Sequence, residues 1–226
     1  MPRNRKAGLV SRFQLKLLAV VTMLIDHTGA ILFPDMIVFR VIGRISFPVF
    51  AFLIAEGLFR TSNVKAYLGR LFAFAVISEI PYDLAFHGTV YYPQSQNIFF
   101  TLFIGLAAIA MLREYREKNP VASVLLAGAA VLLAEVLRTD YGWFGVAAVV
   151  IFYCMRSYPD KGALAFTLLN TGFGLLSSKL QIFAAAAGLP ILLYNNKNGR
   201  YRWKYFFYAF YPAHLLLLFL IHMVVK

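Results

Sequence analysis

The 226-residue sequence has one cysteine, Cys154, and few charged side chains. A single cysteine excludes an intrachain disulfide framework. Charged residues make up 14% of the chain, whereas soluble domains average about 25%. Hydrophobic residues make up 61%, and the mean hydropathy is +0.70. This composition argues against a soluble domain and predicts a protein embedded in a membrane.

The short motifs of many soluble enzymes are also absent from the sequence. It has no Walker-type phosphate loop, GxGxxG fingerprint, HExxH or CxxC metal pattern, or GxSxG nucleophile elbow. Asp26, His27 and His214 belong to types that ligate metals, but their spacing matches no metal pattern, so no metal ion is predicted. Any chemistry therefore depends on isolated polar residues in apolar surroundings.

Nine apolar runs fill most of the chain. A run of roughly 20 apolar residues is long enough to cross the hydrocarbon core of a bilayer. The sequence therefore predicts an all-α, polytopic integral membrane bundle of about nine transmembrane helices. We expect one domain over residues 1–226, with a basic segment at 1–14. The runs cover residues 15–33, 36–58, 66–86, 97–112, 121–137, 141–155, 163–176, 180–194 and 205–225.

Most of the 22 lysine and arginine residues lie before the first run or in every second connection after it. Cytoplasmic segments of membrane proteins collect such cations, so the N-terminus is predicted to be cytoplasmic and the C-terminus to lie outside. The formal net charge of +12 then reflects topology and contact with anionic lipid headgroups. The pattern predicts membrane lipids as partners and no nucleic acid.

Ionisable residues interrupt the apolar runs. A charged group at such a depth is costly unless it is paired or used. The predicted topology places these residues at similar depth, toward the outer side, and we interpret them as one polar site. They are Asp26 and His27 in the first run, Arg40 and Arg44 in the second, Glu79 and Asp83 in the third, Asp140 just before the sixth, and His214 in the ninth.

Spacing suggests how these residues meet. Arg40 and Arg44 are four residues apart, as are Glu79 and Asp83, so each pair lies on one face of its helix. Two cations facing two acids would neutralise a buried cavity, and Asn97 is expected to add polar lining. The alternative is that these charges form only an interhelical ion-pair lattice. The pattern leaves both interpretations open.

The imidazole of His27 is the strongest candidate for chemistry, because histidine changes charge near neutral pH and can move a proton. Asp26 could set its tautomer, or could partner an arginine instead, because adjacent residues on a helix do not face each other. The alternative for His27 is a packing role. For His214 a catalytic and a structural role are equally open.

Six ordered segments, together with the apolar stretch around the first, carry a resemblance to a known family. They are 23–27 (MLIDH), 43–52 (GRISFPVFAF), 78–83 (SEIPYD), 140–142 (DYG), 194–195 (YN) and 207–215 (FYAFYPAHL). Over nearly its whole length the chain resembles the TraX family, which takes its name from the inner-membrane protein that N-acetylates F-pilin. One departure is Asn196, where the family often has glycine.

This resemblance implies a bacterial inner-membrane acetyltransferase with a single acyltransferase-like domain. It would move an acetyl group from cytosolic acetyl-CoA to an acceptor at the outer side, with an amine favoured over a hydroxyl. His27 is the position matching the histidine that serves acyl transfer in related membrane acyltransferases. It would act as general base, with Asp26 orienting it and Arg44 stabilising the oxyanion.

The resemblance and the charge pattern together name further residues. The expected substrate-binding residues are Arg40, Glu79, Asp83, Asn97, Asp140, Tyr141, Tyr211 and His214. The expected contacts for the phosphates of CoA are Lys197, Arg200 and Arg202. The acceptor, whether a peptide amine, a sugar or a lipid, and the oligomeric state are left open.

Other functions remain compatible with the residues. A proton-coupled secondary transporter would also place Asp, Glu, His and Arg inside the membrane, although no inverted repeat is visible in the sequence. An O-acyltransferase of a cell-surface glycan and a noncatalytic membrane scaffold are further alternatives.

Overall fold

The computed structural model describes residues 8–201 and 203–225, and within these ranges the protein is helical, without strands. A 3₁₀ helix, Lys179–Ala187, lies between α8 and α9. The α-helices are α1 (Arg12–Leu32), α2 (Ile37–Gly43), α3 (Ser46–Arg60), α4 (Val64–His87), α5 (Ile98–Tyr115), α6 (Pro120–Val136), α7 (Gly142–Cys154), α8 (Pro159–Leu176), α9 (Gly188–Leu192) and α10 (Lys204–Val225). The predicted all-α class is confirmed.

Four helical stretches are long and apolar enough to cross a membrane: Arg12–Leu32, Ile37–Arg60, Ile98–Tyr115 and Lys204–Val225. Shorter apolar helices accompany them, and each of the nine predicted runs contains helix in the structure. The four stretches indicate a membrane protein. The number of nine crossings stays a prediction.

Side-chain caps define where several helices begin. Ser11 accepts a hydrogen bond from the backbone N–H of Gln14 and the Gln14 side chain accepts from the backbone N–H of Ser11, which makes a capping box at the start of α1. Asn63 and Asn119 cap α4 and α6, and each side-chain oxygen accepts one hydrogen bond from a backbone N–H group. Polar residues before these three helices therefore define the residue at which each helix begins.

The second apolar run is broken into α2 and α3. Pro48 lies in the first turn of α3 and has no N–H to donate to the carbonyl of Arg44, so the helix is interrupted between Gly43 and Ser46. This break matters because it places Arg44 at a helix end beside the interior of the bundle.

Helix α3 forms the centre of the bundle. Almost all of its residues from Ser46 to Leu58 are buried, and α1, α5 and α7 pack around it. The outer faces of the peripheral helices expose large apolar side chains such as Val124, Leu132 and Leu217. This arrangement, apolar on the outside and polar in part of the inside, suits a lipid environment.

Short backbone contacts tie the two ends of the bundle. At the end where α1 begins, called here the basic end, Val10 donates to the carbonyl of Leu193 at 3.0 Å and Arg12 donates to that of Lys197 at 2.9 Å. At the opposite, far end, Asp140 donates to the carbonyl of Gln96 at 2.8 Å. The segment before α1 and the α9–α10 linker thus form one surface at the basic end.

Candidate functional site

A cavity of about 900 Å³, called here the central cavity, runs inside the bundle from the basic end toward the far end. Helix α1 contributes to both parts, with Lys16 near the basic end and His27 deeper inside. These two residues are about three helical turns apart, so they share a face of α1 and lie about 16 Å apart along its axis. The cavity therefore connects a cationic region with a buried histidine.

His27 and His214 form a pair within the bundle. Nδ1 of His27 lies 2.6 Å from Nε2 of His214, and the two rings are parallel within 4°. Nδ1 of His214 lies 2.7 Å from the carbonyl oxygen of Phe210, one turn earlier on α10. His27 lines the central cavity, whereas His214 is buried beside it and does not line it.

Aromatic rings surround the histidine pair. Phe86 and Tyr211 meet the ring of His27 edge-on, at centroid distances of 5.4 Å and 5.9 Å. Phe210 stacks on His214 at 4.9 Å. The pair is therefore held in place by apolar packing, with no acidic side chain bonded to either ring among the described residues.

Asp26 binds the two arginines of the second run. Oδ2 of Asp26 accepts a hydrogen bond from Nη1 of Arg40 at 2.9 Å. Both carboxylate oxygens of Asp26 accept from Nη2 of Arg44, each at 2.9 Å. Arg44 makes both of these contacts through Nη2. The Nη1 atom of Arg44 has no hydrogen-bond partner within the described part of the chain. Arg44 lines the central cavity, which leaves it a donor for a bound group.

Helix α2 approaches Asp26 closely because Gly43 has no side chain. A Cβ at Gly43 would lie 2.1 Å from Oδ1 of Asp26, too close for any packed atom. Gly29 on α1 makes the same close approach to Phe39, where a Cβ would lie 2.3 Å away. Two glycines therefore let α1 and α2 pack tightly enough to form the Asp26 cluster.

These contacts correct two predictions. Asp26 does not orient His27, because both of its oxygens bind arginine and His27 is paired with His214. The arginines also do not face Glu79 and Asp83, because Asp26 alone is their acidic partner among the described residues. The alternative that Asp26 pairs with an arginine is confirmed.

Glu79, Asp83 and Asn97 do not line the central cavity. Asn97 caps α5 by accepting from Phe99 N–H at 3.0 Å, and its amide nitrogen donates to Glu79 and to the carbonyl of Ala75. Asp83 accepts from the backbone N–H of Tyr92 at 2.8 Å. These three residues hold the connection between α4 and α5, and a role for them in substrate binding stays a prediction.

Asp140 and Tyr141 line the far part of the cavity, as does Tyr211 on α10. Tyr141 adopts a left-handed backbone conformation with φ 63°, which turns its ring onto Phe47 at a centroid distance of 4.0 Å. The guanidinium of Arg44 lies 6.0 Å from the centroid of the Tyr141 ring. Burial raises the pKa of Asp140 to about 6, partly opposed by the charge of Arg44.

The basic end of the cavity contains cations that the sequence interpretation assigned to topology. Four of them have no acidic partner within salt-bridge distance among the described residues. Lys16 lies 4.9 Å from the centroid of the Phe207 ring, and Arg70 lies 5.7 Å from that of Tyr67. These four cations, all of which line the cavity, are Arg12, Lys16, Arg70 and Lys204. A signal for Lys16 was present, since it falls within the first apolar run in register with His27.

Arg60 is a fifth cation at this end, but it has structural partners. It donates to Asn196 Oδ1 at 2.6 Å and to Asn198 Oδ1 at 3.2 Å, so it fixes the α9–α10 linker. It also lies 3.9 Å from the buried carboxylate of Glu56, which Arg156 binds at 2.8 Å. Arg60 therefore forms part of the wall of the cavity mouth.

Two of the three predicted CoA-binding residues are not at the cavity. Lys197 and Arg200 lie in the α9–α10 linker and do not line it, and Arg202 lies outside the described residues. The linker does contribute Asn198 and Tyr201 to the mouth. A role for Lys197, Arg200 and Arg202 in binding CoA stays a prediction.

Comparisons with known proteins give relatives along the whole chain. A family model described as TraX protein matches residues 11–222. A probable fimbrial assembly protein, FimC of serogroup H1, from Dichelobacter nodosus is 32% identical over 92% of this chain and 94% of its own length. An uncharacterized protein, RP591, from Rickettsia prowazekii (strain Madrid E) is 27% identical over 70% of this chain and 53% of its own length. No solved structure matches the chain significantly.

Proposed function

The chain belongs to the TraX family, and on this premise we propose that it is a membrane acetyltransferase that moves an acetyl group from acetyl-CoA to an acceptor. The observation that carries the proposal is the central cavity, which joins to His27 the basic-end cations that bind no acid in the part of the chain that the structure describes. Acetyl-CoA has the complementary form, with phosphates at one end of a long flexible arm and a reactive thioester at the other.

The basic end is the proposed place for the donor. Lys16 and Arg70 lie over aromatic rings and bind no acid within the described residues, so their charges are available for phosphate. With the phosphates held there, the thioester lies deeper in the cavity, toward His27. Because the positive-inside pattern predicts a cytoplasmic basic end, acetyl-CoA would enter the cavity from the cytosol. The protein itself would lie in the inner membrane of a bacterial cell.

His27 is the proposed general base. It takes the proton from the acceptor as that group attacks the thioester carbonyl, which forms the new bond to the acetyl carbon. The negative charge on the carbonyl oxygen is stabilised by Arg44, whose Nη1 has no hydrogen-bond partner among the described residues. When the C–S bond breaks, the proton held by His27 passes to the leaving thiolate, so His27 is regenerated.

The far part of the cavity is the proposed acceptor site, and an amine is favoured over a hydroxyl. An amine arrives as an ammonium ion, which must lose one proton before its nitrogen can attack. Asp140 supplies a cavity-lining carboxylate that can hold the ammonium ion and take this first proton on its way to solvent, while His27 takes the second proton during attack. Arg40, Tyr141 and Tyr211 complete the lining. The name of the Dichelobacter relative, a fimbrial assembly protein, makes the N-terminus of a pilin-like peptide the first acceptor to test.

The test uses the purified protein in lipid nanodiscs with acetyl-labelled acetyl-CoA and an envelope fraction. We expect a labelled product from the wild-type protein and none from His27→Ala. The control is His87→Ala, at the exposed end of α4, which should behave as wild type. Retention of the label after mild hydroxylamine treatment identifies an amide, and its release identifies the ester of an O-acyltransferase.

Three results would contradict the proposal. Absence of transfer by the wild-type protein, with uptake of solute coupled to a proton gradient in proteoliposomes, would favour the transporter. Equal transfer by His27→Ala would remove His27 from the mechanism. Absence of both transfer and uptake would leave the scaffold interpretation.

A further inference from the structure

The donor and the acceptor of the hydrogen bond between His27 and His214 can be assigned from the bond that His214 makes to the backbone of α10. The carbonyl oxygen of Phe210 can only accept a hydrogen bond, so Nδ1 of His214 carries a hydrogen and donates at 2.7 Å. In the neutral imidazole the other nitrogen, Nε2, is then an acceptor. Nδ1 of His27, 2.6 Å away, must therefore be the donor to it.

This assignment of donor and acceptor also determines the protonation state of Nε2 of His27. With Nδ1 of His27 protonated, its Nε2 carries a lone pair and no hydrogen. His27 is the member of the pair that lines the central cavity, while His214 is 4% exposed. The free lone pair thus belongs to the ring that a substrate can reach.

We propose that His214 is the positioning residue of the site, which holds His27 in the tautomer whose Nε2 is unprotonated and accepts the proton of the acceptor. This assignment rests on the proposed acetyltransferase function and adds a residue to it. It also explains why Asp26 is free to bind Arg40 and Arg44, since orientation of the base comes from α10 instead.

A second imidazole suits this position better than a carboxylate would. The rings are surrounded by Phe86, Tyr211 and Phe210, and a permanent negative charge in such a place would need a permanent cation. Neutral His214 carries no charge at rest, yet its Nε2 accepts from the imidazolium that forms when His27 takes a proton. The pair therefore supports the charged intermediate without a charge in the resting state.

Two substitutions separate positioning from packing. In His214→Gln the side-chain carbonyl can replace Nε2 as the acceptor for His27, whereas the shorter side chain of His214→Asn replaces Nδ1 and leaves His27 unbonded. We expect His214→Asn to lower kcat on the order of 10²-fold, with the KM for acetyl-CoA unchanged, and His214→Gln to recover part of that loss. His222→Asn, on the same helix, is the matched control and should retain full activity.

A second measurement does not depend on acetyl transfer. Nitrogen-15 NMR of the histidine-labelled protein in nanodiscs reports which ring nitrogen of His27 is protonated. We expect an unprotonated Nε2 in the wild-type protein and in His214→Gln, and a mixture of tautomers in His214→Asn. A protonated Nε2 in the neutral wild-type ring, or the same tautomer in all three proteins, would overturn the proposal even if acetyl transfer is established. If the wild-type protein shows the expected tautomers but transfers no acetyl group, only the proposed function is contradicted.

Discussion

Asp26 and His27 are neighbours in the sequence but have different partners in the structure. Successive residues of a helix point about 100° apart, so Asp26 faces the arginines around α2 while His27 faces α10. One residue organises the positive charge of the site, and the other contributes the imidazole. Both roles depend on contacts between segments that are remote in the chain.

We predict that Asp26→Asn destabilises the protein. The substitution removes the negative charge that binds the guanidinium groups of Arg40 and Arg44, and removing one partner of a largely buried ion pair costs about 3 kcal/mol. Thermal or denaturant-induced unfolding in nanodiscs measures the loss. Asp35→Asn, at an exposed position before α2, is the control and should leave stability unchanged. Equal stability of the two variants would contradict the assigned role of Asp26.

We predict that Lys16→Ala weakens donor binding. Lys16 lines the central cavity without an acidic partner among the described residues, and loss of one charged contact to phosphate, worth roughly 1.4 kcal/mol, corresponds to about a tenfold rise in KM for acetyl-CoA. Lys197→Ala, which does not line the cavity, should leave this KM unchanged. The opposite order of effects would restore the linker residues as the phosphate site.

At the scale of elements, apolar runs predicted which segments are helical, because hydrophobic continuity and polar caps are local features. Internal breaks were less visible. The second run divides at Pro48, and the eighth becomes a 3₁₀ helix followed by α9, where Pro190 offers no N–H to the carbonyl of Ala186. Hydropathy alone does not report these changes of hydrogen-bond pattern.

The close packing of α1 against α2 leads to a prediction at this scale. Gly43→Ala should push α2 away from Asp26 and cost about 1–3 kcal/mol of stability, the usual cost of overpacking, and should also reduce acetyl transfer because Arg44 moves. Gly128→Ala in α6, where a Cβ meets nothing within 4 Å, is the control and should not destabilise. Wild-type stability in Gly43→Ala, measured by thermal unfolding, would contradict the tight α1–α2 contact.

At the scale of the whole molecule, the sequence predicted the deep part of the site better than its mouth. His27, Arg40 and Arg44 were identified because an ionisable residue within an apolar run is unusual, and Asp140 because it directly precedes such a run. The cations of the mouth resemble ordinary topology signals, and only the fold shows which of them turn inward. The pairing of His27 with His214 also required the fold, because it joins α1 to a helix 187 residues later.

The continuous cavity predicts a thermodynamic response to the donor. Acetyl-CoA at a concentration of 100 times its Kd should stabilise the folded protein by about 2.7 kcal/mol, seen as a rise in the thermal unfolding temperature. Inorganic phosphate and free sugars at matched ionic strength should produce no comparable rise. Stabilisation by a transported solute and not by acetyl-CoA would contradict a donor site in the cavity.

The most direct test of the central claim is a cryo-electron microscopy map of the protein in nanodiscs with bound CoA. We predict density for the phosphates among Arg12, Lys16, Arg70 and Lys204, and density for the arm along the cavity with its thiol next to His27. Phosphates bound elsewhere, or an arm that does not approach His27, would contradict the account.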